Sequence, residues 1–141
     1  MTKTAPKPLL MPGLLRAAYW FDEGLRRARI ARGGKVMPRS QTLVILNVWL
    51  GLRKPNQLAE ALGISRQAVS RIIAELVEAR ELKVSPDADD GRGVIVELAD
   101  ERATQETIEA VSALEARLAG IIGEDRLGVL RSALAMDWGE P

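Results

Sequence analysis

Ser65, Arg66, Gln67, Ser70 and Arg71 are the side chains of this sequence best suited to act on another molecule. Their spacing places them together on one side of a helix running from Arg66 to Ala79, with Ser65 as its N-cap. Val69, Ile72 and Ile73 take the opposite side, where they pack the helix onto a partner. Arginine and glutamine can make paired hydrogen bonds to base edges in the major groove of a DNA duplex, and serine suits a base or a phosphate. Arg66 and Gln67 stand at the helix N-terminus, the end that usually enters the groove. An ordinary solvated helix face would carry polar groups at the same places, so the surrounding elements must decide.

The stretch Pro55 to Ala74, PNQLAEALGISRQAVSRIIA, meets the demands of two helices crossed over a tight turn. A short helix covers Asn56 to Leu62 and turns its Leu58 and Leu62 inward, with small Ala59 where the second helix approaches. Gly63 suits a turn conformation that a side chain would oppose. After the second helix come two short strands, Leu82 to Ser85 and Val94 to Leu98, joined by the Asp- and Gly-rich Pro86 to Gly93. Together these make a winged helix-turn-helix, whose hairpin tip reaches the adjacent minor groove or backbone. Arg92 is the only base between Lys83 and Arg102 and is the expected tip contact. Asp87, Asp89 and Asp90 oppose binding to a polyanion unless one of them orients Arg92; Asp90 is expected to pair with it across Gly91.

Composition removes most other chemistries. The chain has 141 residues, enough for one domain with a core of its own, and 47% of them are hydrophobic. It has no cysteine, so disulfides, thiolate metal sites and thiol switches are impossible, and no histidine, which removes the commonest general base and metal ligand. No paired acids sit at an evident apolar pocket, and we expect no enzyme, no metal and no cofactor. No apolar run is long enough to span a membrane and the start lacks a signal-peptide core, so no membrane partner and a cytoplasmic location are expected.

Net charge is only +1 but is segregated. Arg26, Arg27, Arg29, Arg32, Lys35, Arg39, Arg53 and Lys54 fall between residues 24 and 57 without a single acid, whereas residues 97–141 hold ten acids against four arginines. Such asymmetry marks either a basic surface for a polyanion or a solvated helix face.

Residues 1–11 read as a loose arm, and a first helix begins at Pro12 and ends near Gly33. A second, beginning at Pro38 and Ser40, is apolar nearly all round through Trp49. Two more helices, from about Asp100 to Ile122 and from Glu124 to Met136, close the chain. Tyr19, Trp20, Phe21 and Trp49 are four of the five aromatic residues and all lie on the first two helices. They are either core or dimer contacts, or part of a ligand site.

QLAEALGISRQAVSRIIAELVEARELKVSPDADDGRGVIVELADE, from Gln57 to Glu101, resembles the core of the multiple antibiotic resistance regulator (MarR) family, and the flanking helices follow the family's order. Two positions depart from its pattern. Glu81 stands where the family usually has glycine, and Ala99 follows Leu98 where it prefers threonine. The resemblance implies a mainly helical α+β winged helix-turn-helix fold in one domain, with residues 38–99 as the DNA-binding core and residues 12–37 and 100–141 as interlocking dimerisation helices. It implies a homodimer on a palindromic operator in double-stranded DNA, with repression relieved by a small organic ligand. Ser65, Arg66, Gln67, Ser70 and Arg71 match its recognition helix, and Asp90 and Arg92 its Asp-x-Arg wing signature. In that arrangement Arg16, Tyr19, Trp20 and Trp49 are candidates for the ligand cleft, Arg16 holding a carboxylate. The rival expectation is a winged helix that has lost DNA binding and docks a protein partner, for which the acidic wing speaks.

Overall fold

A computed structural model describes residues 4–141, which form six helices and one two-stranded sheet. The first helix, α1, spans Leu10–Ala31. It starts two residues ahead of the expected Pro12. Proline is tolerated in the first turn because the N–H it lacks would have no intrahelical acceptor there. The second helix, α2, spans Arg39–Trp49 and follows extended Pro38. The third and fourth, α3 (Pro55–Leu62) and α4 (Arg66–Glu78), make the helix-turn-helix. Strands β1 (Leu82–Pro86) and β2 (Val94–Leu98) pair antiparallel, with Leu82 opposite Leu98 and Pro86 opposite Val94. The chain ends in α5 (Glu101–Ile122) and α6 (Glu124–Ala135).

The core lies within the central segment. Val44, Ile45 and Val48 of α2, Leu58 and Ala59 of α3, Val69, Ile72, Ile73 and Leu76 of α4, Leu82 and Val96 are buried in one cluster. These are the three-to-four-residue helical spacings, joined by one inward residue from each strand. The hairpin is tied to the helices by the N–H of Val96, which donates to the carbonyl of Arg53 at 2.8 Å.

Two helix ends explain how the segment is aimed. Gly63 closes α3 with φ +64°, a left-handed conformation that a Cβ would strain, and thereby lets α4 leave at a steep angle. At the end of α4 the same conformation falls on Arg80, with φ 60°. There the N–H of Arg80 donates to the carbonyl of Val77 and that of Glu81 to Leu76, a complete Schellman closure. Glu81 itself carries no positive φ, so the left-handed conformation that favours glycine falls on Arg80 and a carboxylate fits at 81. Partial burial pushes the Glu81 carboxyl above its ordinary range, against the pull of Arg29.

Around this segment α1 packs on α5, and α6 folds back on α5. Gly24 leaves room for the Leu114 side chain of α5, since a Cβ there would lie 2.4 Å from it. No residue of α1 is buried, and α6 buries only Leu127. Among the described residues no helix is long and apolar enough to cross a membrane, and no acidic cluster fit for a metal is present.

Candidate nucleic-acid interface

Ser65 caps α4 as expected, its Oγ accepting from the N–H of Ala68 at 3.1 Å. That cap fixes the start of the helix, and the inward Val69, Ile72 and Ile73 fix its rotation. Arg66, Gln67, Ser70 and Arg71 are consequently left exposed on the outer side. Arg66 and Ser70 border an open recess of about 560 Å³ between α4, the start of α3 and the hairpin. Asp90 and Arg92 of the hairpin border the same recess, as do Lys54 and Asn56 at the start of α3. Gln67 and Arg71 lie on the flank of α4 outside it. The structure thus brings Arg66, Ser70, Asp90 and Arg92 together across a concave surface. Among the described residues, Arg66, Arg71 and Arg92 are engaged by no acid.

The expected pairing of Asp90 with the Arg92 guanidinium is not what forms. Asp90 Oδ1 instead accepts from the backbone N–H of Arg92 at 3.2 Å, and the carbonyl of Asp90 accepts from the N–H of Gly93. A carboxylate two residues ahead of an N–H readily closes such a turn, and doing so leaves the arginine head free. Asp87, one of the acids expected to oppose a polyanion, is buried at 7% exposure. Its Oδ2 lies 3.4 Å from the Lys54 ammonium and its Oδ1 accepts from the N–H of Asp89. The Asp89 N–H, then Lys54, hold the Asp87 carboxyl below its ordinary range. Lys54 and Asp87 are 33 residues apart in the chain, and no local pattern signals their meeting.

The basic stretch from residue 24 to 57 is not a free cationic surface. Arg26 and Arg27 hydrogen-bond Glu23, which keeps that carboxyl down at about 2. Arg39 pairs with Asp22 and lies over the Tyr19 ring, 4.8 Å from its centroid. Arg53 faces Glu97 at 3.9 Å and Lys54 faces Asp87. Arg29 donates to Thr107 and Arg32 to the carbonyl of Glu106, tying α1 to α5. Two of the acids that neutralise this stretch, Asp22 and Glu23, lie just ahead of it and two, Asp87 and Glu97, lie in the hairpin, so counting charge within the window overstated it.

Arg16, Tyr19 and Trp20 do line one cavity, of about 390 Å³, with Glu23, Gly24, Arg27, Leu114 and Arg117. Trp20 meets Phe21 edge-on, with ring centroids 5.1 Å apart. Trp49 does not line that cavity and is 48% exposed. It ends α2, whereas Tyr19 meets the first residue of that helix, Arg39; ten residues of helix span about 15 Å.

The family model described as MarR family matches residues 37–93, a span that covers α2, the helix-turn-helix, β1 and the hairpin loop and stops before β2. The central stretch of the chain is thus similar to the MarR family. Several solved structures superpose along nearly the whole chain. NadR in complex with 4-hydroxyphenylacetate is 20% identical, with a TM-score of 0.75 and 96% of each chain covered. The PcaV transcriptional regulator of Streptomyces coelicolor, in complex with its natural ligand, is 16% identical at a TM-score of 0.66 over 94% of each chain. Wild-type MarR of E. coli in its apo form is 19% identical at 0.65, over 92% of this chain and 96% of its own. At these identities the likeness is one of fold. No curated protein matches the chain. The matched residues 37–93 include Arg66, Ser70 and Arg92.

Proposed function

We propose that this protein is a transcriptional regulator of the MarR family that binds a palindromic operator in double-stranded DNA as a homodimer, in the cytoplasm, and represses until a small organic effector releases it. The observation that carries the reading is the recess shared by Arg66, Ser70 and Arg92. A helix N-terminus for the major groove and an arginine tip for the minor groove stand on one concave side, and among the described residues no acid forms an ion pair with either arginine. Asp87, one of the wing acids that spoke for a protein-docking role, is already compensated by Lys54.

Dimerisation is supported by the apolar residues that α1, α5 and α6 leave in water, among them Leu10, Met11, Ile121, Val129 and Leu134. An effector is supported by the cavity at Arg16, Tyr19 and Trp20. Its two aromatic rings with Arg16 and Arg117 suit a flat organic anion, while Arg27 is held by Glu23. NadR, of like fold, was solved with an aryl carboxylate of that kind.

The test is retention of fragments from a labelled genomic pool, with unlabelled competitor, at low and moderate salt. Selection of a fragment carrying an inverted repeat is the expected result. Unselective binding that vanishes at moderate salt would leave only counterion release, and would favour a protein partner for the wing instead.

A further inference from the structure

The hairpin loop from Asp87 to Gly93 is folded on itself by backbone contacts. The N–H of Asp87 donates to the carbonyl of Gly93 at 3.0 Å, and the N–H of Gly93 to that of Asp90 at 2.9 Å. Ala88, Asp89 and Asp90 are exposed, while Asp87 is buried beside the residue that precedes α3. The contact that carries this loop across to the helices is the 3.4 Å approach of the Lys54 ammonium to Asp87 Oδ2. A carboxylate taken out of water beside a DNA-facing surface is tolerated only when compensated, and Lys54 is the one base within reach among the described residues.

We infer that the Lys54–Asp87 pair is a clasp that seats the wing against the start of α3 and so sets where Arg92 arrives on the DNA. Lys54 in this scheme is a positioning residue that acts through the wing, not a phosphate contact. A loop held in place before binding loses less conformational freedom when it binds, so the clasp increases what Arg92 contributes. Asp87 divides its two oxygens between the loop turn, through Asp89, and the clasp, through Lys54. The inference rests on the proposed DNA-binding role only for its functional half.

The experiment uses the full chain as Lys54→Met, Lys54→Arg, Arg92→Ala and the Lys54→Met/Arg92→Ala pair. Amide exchange of residues 88–92 is followed without DNA, and affinity for the selected fragment is measured for each variant. Lys54→Met should accelerate exchange in the loop while α4 amides keep their protection, and Lys54→Arg should restore the slow exchange. On DNA, Arg92→Ala should weaken binding about tenfold in the native background and less than about twofold beside Lys54→Met, because coupled residues are not additive. Unchanged loop exchange in Lys54→Met, or equal losses from Arg92→Ala in both backgrounds, would overturn the clasp. Failure of the native protein to select any duplex would instead sink the DNA-binding reading, and the exchange rates would still decide whether the clasp exists.

Discussion

The segment from α2 to β2 and the three helices around it treat their apolar side chains in opposite ways. The former gathers eleven buried residues into one cluster from α2, α3, α4 and both strands. The latter runs α1 for 22 residues without burying one of them, and leaves Leu10, Met11, Ile121, Val129 and Leu134 largely in water. The contrast separates two kinds of sequence pattern. A compact motif satisfies its own hydrophobic stripe, whereas α1, α5 and α6 carry stripes that one chain does not cover. Under the proposed dimer a second copy covers them.

The largest effect should come from the self-contained half. Leu76→Ala empties a fully buried site on α4 and should cost about 3 kcal/mol in urea unfolding, from lost burial plus the cavity. A loss below about 1 kcal/mol would mean that this core is looser than its packing shows. The other half should respond in association before folding. Val129→Glu places a charge on the exposed apolar face of α6 and should weaken self-association by about 2 kcal/mol, read by light scattering as a fall from dimer to monomer mass. An unchanged mass would remove α6 from the interface.

Arg71→Ala should leave both halves folded and reduce operator affinity about tenfold, as expected for one lost contact to a base or phosphate. Unchanged affinity at moderate salt would show that the outer face of α4 does not read DNA. Arg80→Gly should stabilise the winged helix by about 1 kcal/mol, because the left-handed φ of 60° is unstrained only for glycine. Thermal unfolding measures it, and a lower midpoint would contradict the strain. The smallest effect is titration of the clasp. The Asp87 carboxyl is depressed in the folded state, so its contribution is complete above the ordinary carboxylate pKa and is lost as pH falls through the folded value. The stability gap between native protein and Asp87→Asn should therefore close on acidification; a gap that persists below that pH would assign the loss to packing.

Local features were legible before the structure. Ser65 as cap, Gly63 as turn, and the alternation of Val69, Ile72 and Ile73 with Arg66, Ser70 and Arg71 are set within a few residues, and each stands where its type requires. What was not legible depends on partners distant in the chain. Arg39 meets Asp22 across 17 positions, Lys54 meets Asp87 across 33 and Arg53 meets Glu97 across 44. These pairs consume a basic stretch that looked free in one dimension. Asp90 was read as an ion-pair partner because its charge is plain in the sequence. Its turn-closing hydrogen bond to the Arg92 N–H depends on how the loop folds. Trp49 was grouped with Tyr19 and Trp20 by aromatic type, but the rise of α2 carries it away from them.

The most direct test of the central claim is a hydroxyl-radical footprint of the native protein on its selected fragment, repeated with Arg66→Ala. The account predicts two protected patches on one face of the duplex, about 10 bp apart, each fading in the variant while the spacing stays. A single patch, or uniform protection indifferent to Arg66, would contradict a dimeric reader built on α4 and its wing.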